Sequence, residues 1–470
     1  MKDTAAIVGG GVIGGGWAAR YLLNGWDVRV FDPDPAAARK LGEVLENARR
    51  ALPMLYDCAM PREGRLTFHD SLSAAVDGAA WIQESVPERL ALKREIYRDI
   101  QQACGPDAII GSSTSGFKPS ELQQGARRPE QIIVAHPFNP VYLMPLVEVV
   151  GSDSNPTGFI DRARGMLRDL GLYPLHVRKE IEAHVADRFL EAVWREALWL
   201  IKDGIATTEE IDNAIRYGFG LRWGQMGLFE TYRIAGGEAG MKHFINQFGP
   251  ALQWPWTKLM DVPDLTDELA GRIAAQSDAQ SGHLSIRELE RKRDGNIVAM
   301  IRALKQQGNA AGRIVLDHQK TLQASPRRDA PLVTQDRVVP VDWTDMNGHM
   351  NEGRYGQIFS DAAEAVMALV GVDDGYVARG MSYFTVETTV KYLAETHAGE
   401  HVRVHSRVTE GRGKKLRCFH EMIRVSDGMV MATCDQLMLH VSLETRRTCD
   451  PPDEVAGKVA DLAALHGGLT

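Results

Sequence analysis

Through the first 180 residues, short apolar runs alternate with longer stretches in which apolar positions recur every three or four residues. That alternation of strand-length and helix-length patterns predicts a parallel α/β sheet. The strand candidates are 5–9, 28–32, 80–83, 108–111, 132–136 and 146–150. From 183 to 318 the strand-like runs disappear and helical spacing takes over, as in 185–201 and 208–217, while 285–307 reads as a charged, solvated helix. Residues 319–336 carry Pro326, Pro331 and clustered charge, and read as a linker. Beyond them, one helical segment (353–370) precedes four runs of alternating apolar and polar residues, 384–392, 400–409, 415–425 and 429–441. A small antiparallel sheet wrapped on one helix is expected there. The chain is therefore expected to be multidomain: an α/β domain (1–182), an all-α domain (183–318), a linker (319–332), an α+β domain (333–450) and a poorly packed tail (451–470).

Length agrees with this division, since 470 residues correspond to about three domains. A net charge of −8 argues against a nucleic-acid or membrane-surface partner. The five cysteines (Cys58, Cys104, Cys418, Cys434 and Cys449) form no CxxC pair, so no metal site and no disulfide framework is expected, and a reducing cytoplasm is the simplest location. The chain enters a strand at once without a basic leader, and no apolar run approaches the roughly 18 residues that span a bilayer.

The first candidate chemistry is Gly9-Gly10-Gly11-Val12-Ile13-Gly14, a G-x-G-x-x-G run between a predicted strand and a predicted helix. Gly9 allows a tight turn, Gly11 lets a pyrophosphate approach the backbone, and Gly14 lets the helix lie close to the sheet. The helix N-terminus, with Val12 and Ile13, then faces the phosphates. Asp32 closes the next strand, where a carboxylate holds ribose hydroxyls and repels a 2′-phosphate. This predicts a Rossmann-like domain binding NAD rather than NADP.

The second is a hydroxyl, an imidazole and a carboxylate: Ser115 in Ser113-Thr114-Ser115, His136 in His136-Pro137-Phe138-Asn139-Pro140, and Glu148 in Leu146-Val147-Glu148. Alcohol oxidation beside a nicotinamide needs these groups, the imidazole taking the hydroxyl proton and the carboxylate orienting the ring. These three contexts resemble the 3-hydroxyacyl-CoA dehydrogenase superfamily over about residues 3–318. The resemblance implies that Glu88, Lys93 and Asn139 lie near the nicotinamide ribose.

Two positions depart from the acyl-CoA members. Asp187, in Ala186-Asp187-Arg188, stands where an amide would contact substrate, and Pro145 replaces a lysine. The run around them looks more like the branch that oxidises small free hydroxy acids, carnitine and gulonate among them. A trimethylammonium group needs aromatic faces and nearby negative charge. Phe189 and Trp223 are therefore substrate candidates beside Asp187, within a helical region that also carries Trp194, Trp199, Phe219, Phe229 and Tyr232. The alternatives are a different 3-hydroxy acid, a 3-hydroxyacyl-CoA, or an NAD-binding crystallin-like protein without turnover.

The third is Asp345-Met346-Asn347-Gly348-His349-Met350-Asn351, leading straight into a helix. It resembles the hot-dog thioesterases of the 4-hydroxybenzoyl-CoA thioesterase type over about residues 333–445. That resemblance implies that Asp345 attacks a CoA thioester or activates water, with a helix N-terminal N–H polarising the carbonyl and His349 and Asn351 shaping the site. Asp345 and Asn351 also suit simple capping roles. Arg412, Lys414, Lys415 and Arg417 suit either CoA phosphates or a solvated hairpin tip. Together the halves imply oxidation of L-carnitine to 3-dehydrocarnitine and hydrolysis of betainyl-CoA, in a homodimer or larger assembly.

Overall fold

The computed structural model describes residues 3–58, 60–235, 238, 240–248, 257–258, 261–264, 266–323 and 331–466. It divides into two units, 1–48 with 62–318 and 49–61 with 319–470.

In the first unit, β1 (Thr4–Val8), β4 (Trp81–Glu84), β5 (Ile109–Ser112) and β6 (Ile132–Pro137) are almost wholly buried, as expected of strands covered on both faces. With β2 (Asp27–Phe31), β3 (Leu66–Phe68), β7 (Leu146–Val150) and β8 (Tyr173–Val177) they form one sheet of order β3-β2-β1-β4-β5-β6-β7-β8. Its core gathers Val8, Ile82, Tyr97, Ile110 and Val134. The six expected strands are present, but two features differ. The edge strands β3 and β8 are additional, because β3 is only half buried and the burial of β8 follows no two-residue period. The sheet is also not wholly parallel, since β7 runs antiparallel to β6. Only residues 138–145 join these two strands, too few for the parallel crossover of about a dozen residues.

Strand order reverses between β1 and β4. In open α/β sheets the crevice at that switch point, beyond the carboxyl ends of the strands, receives ligands. Gly9, Asp32, Glu84, Ser115 and His136 all lie at or just beyond those ends.

The helical part begins with Ala186–Lys202 and Thr208–Ala214, the latter closed by a Thr207/Glu210 capping box. A π-helical turn at Ile215–Phe219 interrupts the single helix expected over 208–217. Gly220–Ala235, Asp267–Ser281 and Ile286–Gln306 follow, the last closed by a Ser285/Glu288 capping box.

In the second unit, β9 (Leu332–Val338), β10 (Met381–Tyr392), β11 (His401–Arg412), β12 (Lys415–Arg424) and β13 (Val430–Ser442) form an antiparallel sheet of order β10-β13-β12-β11-β9. The helix Glu352–Leu369 buries Ile358, Phe359, Ala362 and Val366 against it, giving the hot-dog arrangement.

Three expectations are corrected. The tail is not loosely packed: Asp453–His466 is a helix whose Val455, Val459, Leu462 and His466 make one buried stripe at helical spacing. That stripe needs no aromatic residues, because Gly411 on β11 lets the backbone at Val459 approach, 2.7 Å from where a Cβ would stand. The stretch read as linker is partly regular, since a helix runs to Gln323 and β9 begins at Leu332, while 324–330 lie outside the described residues. Segment 49–61, read as part of the first domain, groups with the second unit, where Asp57 pairs with Arg337. No helix among the described residues is long and apolar enough to cross a membrane.

Candidate active sites

Gly9 has φ +99°, a left-handed conformation that side chains resist, and a Cβ there would lie 2.6 Å from the Ser85 carbonyl. A Cβ on Gly14 would lie 1.8 Å from the Gly9 carbonyl oxygen. The protein leaves open space around Gly11, with no atom within 4 Å of its would-be Cβ. The helix Val12–Leu23 starts there with no side-chain cap, and Val12 is exposed. Asp32 accepts hydrogen bonds from the Gly10 N–H (2.6 Å) and the Asp34 N–H (2.8 Å), which ties its carboxylate to the turn. A narrow turn, uncapped N–H groups and a carboxylate at the next strand end fit a dinucleotide.

Glu88, Lys93 and Asn139 differ in placement. Lys93 is buried and pairs with Glu84 at 2.8 Å and Glu88 at 3.2 Å. Glu88 is half exposed and accepts from the Thr114 hydroxyl, so Lys93 braces Glu88 from beneath. Asn139 is exposed and precedes a cis peptide bond to Pro140. Glu84, which sequence reasoning missed, is fully buried and joins Lys93, the Val86 N–H, Tyr97 and Ser112. Its only sequence signal is a carboxylate that ends a short strand, directly after Gln83.

The catalytic candidates converge. His136 Nδ1 lies 3.1 Å from Glu148 Oε2, and Nε2 lies 3.3 Å from Ser115 Oγ. The other Glu148 oxygen accepts the Val185 and Ala186 N–H groups, each at 2.9 Å. Burial pushes the Glu148 carboxyl up, but the bonds from His136, Ala186 and Val185 outweigh it and hold the group below the usual range. Ala183 and His184 take φ +58° and +49°, and this left-handed bend turns the next two N–H groups toward Glu148. Such residues cost about 1–3 kcal/mol each and persist where their surroundings hold them. The bend is held by buried His184, whose Nε2–H donates to the Thr114 carbonyl at 3.2 Å; burial pushes its pKa down, favouring the neutral ring. No spacing in the sequence signals this role for His184.

Of the substrate candidates, Asp187 reaches the centre, with Oδ2 3.5 Å from His136 Nε2. Burial pushes its pKa up against the attraction of His136. Phe189 and Trp223 are solvent-exposed, and Trp223 packs on Phe219 at 4.6 Å. The aromatic rings that touch His136 among the described residues are Phe138 at 5.0 Å and His184 at 5.5 Å. The Trp199 ring is already covered by Lys258 and Lys202, at 4.0 and 4.4 Å.

In the second unit, Asp345 is exposed at a tight loop in which its own carboxylate accepts the Asn347 N–H at 2.8 Å. Asn351 caps the helix Glu352–Leu369 by accepting the Gly353 N–H at 2.9 Å. His349 Nε2 lies 3.4 Å from Glu395, and the His397 ring packs on it at 4.9 Å. One ligand atom from each of these three residues lies within 4.8 Å of the others. The basic cluster falls on the β11–β12 hairpin, where Arg412 and Lys415 approach Glu410 and Arg417 pairs with Asp435.

Family comparisons give the class of each part of the chain. The chain matches 3-hydroxyacyl-CoA dehydrogenase, NAD binding domain, over residues 4–181, and 3-hydroxyacyl-CoA dehydrogenase, C-terminal domain, over 184–268. It matches the thioesterase-like superfamily over 339–459. Fold and site thus define an NAD-dependent dehydrogenase of the 3-hydroxyacyl-CoA dehydrogenase class, joined to a thioesterase-like hot-dog domain. The chain is 62% identical to the L-carnitine dehydrogenase/betainyl-CoA thioesterase of Ruegeria pomeroyi, over 99% of this chain and 97% of that protein. It therefore belongs to the L-carnitine dehydrogenase/betainyl-CoA thioesterase family. The L-carnitine dehydrogenase of Mesorhizobium japonicum is 56% identical over 68% of this chain and 89% of its own length. Among solved structures, an NAD-dependent 5-formyl-3-hydroxy-2-methylpyridine 4-carboxylic acid 5-dehydrogenase superposes with TM-score 0.54 at 27% identity, covering 65% of this chain and 99% of its own.

Proposed function

We propose that the first unit oxidises L-carnitine to 3-dehydrocarnitine with NAD, and that the second hydrolyses betainyl-CoA to glycine betaine and CoA. The observation that carries this reading is full-length kinship to a protein named for both activities, in a chain that keeps Ser115, His136 and Glu148 in contact. Glu148 accepts from Nδ1–H, so the Nε2 lone pair faces the Ser115 hydroxyl and takes the proton of the substrate hydroxyl. Ser115 positions that hydroxyl, and Glu148 stabilises the imidazolium. Bound NAD would supply the hydride acceptor for the carbon that bears this hydroxyl. Gly9, Gly11, Val12, Ile13, Gly14 and Asp32 would hold the dinucleotide, with Glu88, braced by Lys93, and Asn139 toward its nicotinamide ribose. In the second unit, Asp345 attacks the thioester or activates water.

Nicotinamide reduction measured in parallel with L-carnitine, D-carnitine, L-gulonate and 3-hydroxybutyryl-CoA tests the first activity. Turnover of L-carnitine alone is expected, and turnover of gulonate or the acyl-CoA in its place refutes it. For the second, thiol release from betainyl-CoA should stop in Asp345→Ala while carnitine oxidation continues.

A homodimer or larger assembly in the cytoplasm is part of the same reading. Leu190 and Trp194 on Ala186–Lys202, with Leu221, Phe229 and Ile234 on Gly220–Ala235, are exposed apolar groups. A second copy that covers the helical region would bury such surface, which monomers rarely leave open. Sedimentation at the mass of one chain would count against it. The scattered cysteines suit a reducing compartment.

A further inference from the structure

The atom assigned to take the substrate proton, His136 Nε2, has an unexpected neighbour in the Asp187 carboxylate at 3.5 Å. The imidazole already has its orienting carboxylate, since Glu148 occupies Nδ1. A second anion on the reacting side adds nothing to ring orientation, and it repels the carboxylate end of any hydroxy acid. Nor does Asp187 cap the helix that carries it. Although it lies in the first turn of Ala186–Lys202, no backbone N–H among the described residues donates to its side chain, and Arg188 beside it donates to the Glu182 carbonyl instead. Among the described residues no lysine or arginine pairs with it, and its side chain is 19% exposed.

A substrate with a cation close to its hydroxyl would resolve this. In a β-hydroxy quaternary ammonium, oxygen and nitrogen are separated by three bonds, a span of roughly 3–4 Å from standard bond lengths. A hydroxyl placed between Ser115 Oγ and His136 Nε2 therefore brings the ammonium within contact distance of a carboxylate beside Nε2. The carboxylate end of the substrate then points away.

We propose that Asp187 is the counter-ion for a quaternary ammonium one carbon removed from the reacting carbon, and so the residue that selects a substrate carrying that ammonium over hydroxy acids that lack it. This rests on the L-carnitine reading and identifies the group that recognises its charge. An amide at the same position would keep shape and hydrogen bonding but lose the attraction.

The test compares L-carnitine with its carbon isostere, 3-hydroxy-5,5-dimethylhexanoate, in which an uncharged tert-butyl group replaces the trimethylammonium, in the full-length wild type and in Asp187→Asn. Wild type should prefer L-carnitine in kcat/KM by about tenfold or more, a factor that corresponds to about 1.4 kcal/mol. In Asp187→Asn that preference should collapse, chiefly through a raised KM for L-carnitine. Asp187→Glu should restore part of it. Choline, which carries the same β-hydroxy ammonium, should inhibit wild type competitively and lose that inhibition in Asp187→Asn. NAD affinity, measured alongside, reports whether the variant is folded. If Asp187→Asn lowers kcat/KM equally for both substrates, or keeps the wild-type preference, the proposal is overturned and the carnitine reading stands. A wild type that ignores L-carnitine overturns both.

Discussion

His136 and Glu148 stand directly opposite each other on β6 and β7, a paired position of the antiparallel ladder, with Nδ1 and Oε2 3.1 Å apart. Their separation in sequence is thus the length of a hairpin. Because Glu148 also holds the Val185 and Ala186 N–H groups, it links the ring to the start of the helix that carries Asp187. In Glu148→Gln the amide can donate to Nδ1 and favour the wrong tautomer. The turnover number for carnitine oxidation should fall by about 10²-fold or more, with NAD affinity retained. Steady-state rates combined with a nicotinamide-binding titration check this, and unchanged turnover would remove Glu148 from the catalytic role.

Gly14 and Gly11 should respond differently to alanine. At Gly14 the new methyl meets the Gly9 backbone, which cannot yield, so Gly14→Ala should lower both the thermal midpoint and NAD affinity. At Gly11 the protein leaves the space empty, so Gly11→Ala should fold normally and weaken NAD binding by about tenfold or more. Equal NAD affinity in Gly11→Ala and wild type would show that the pyrophosphate does not approach there.

Glu84 and Lys93 form a buried ion pair beneath the candidate nicotinamide site, at 0% and 1% side-chain exposure. Removing one partner of such a pair leaves an uncompensated charge and costs about 3–5 kcal/mol. Glu84→Gln should therefore lower the stability of the first unit by that order, and denaturant unfolding would register it. A loss below about 1 kcal/mol would mean that Glu88 and the Val86 carbonyl already satisfy Lys93.

His420 sets an acid limit on the second unit. Burial holds its pKa down to about 4 from 6.5, and its Nδ1 lies 2.6 Å from Ser406 Oγ. Because the folded value is depressed, the stabilisation is complete above pH 6.5. Below that the unfolded chain binds a proton that the folded one excludes, so stability falls with pH until about 4 and then levels. At about 1.4 kcal/mol per pH unit, the loss approaches about 3 kcal/mol. Thermal midpoints of the hot-dog transition across this range should slope less in His420→Gln than in wild type. Parallel slopes would assign the acid sensitivity to other groups.

Chemistry confined to one segment was legible in the sequence. The G-x-G-x-x-G turn, the strand-end aspartate and the apolar runs depend on backbone sterics and burial periodicity, which a short stretch carries by itself. The helix and four long strands of the hot-dog unit were legible too: β11, β12 and β13 bury one face with period two, while β10 is mostly exposed and keeps the alternation only in its residue types. Ser115, His136 and Glu148 could be named from their contexts, but their contact could not. It arises because β7 reverses against β6, a consequence of a short connection that the apolar runs do not reveal. The aromatic residues show the limit most clearly. The need of a trimethylammonium group for aromatic faces pointed to Phe189 and Trp223, both of which are exposed, while Phe138 packs on the His136 ring. The grouping of 49–61 with the second unit, the burial of the last helix, the brace of Glu84 under Lys93 and the bend at His184 were likewise decided only in three dimensions. Each depends on which distant segments share a desolvated interior, and there burial and partner charges, not local preference, set the energy of a side chain.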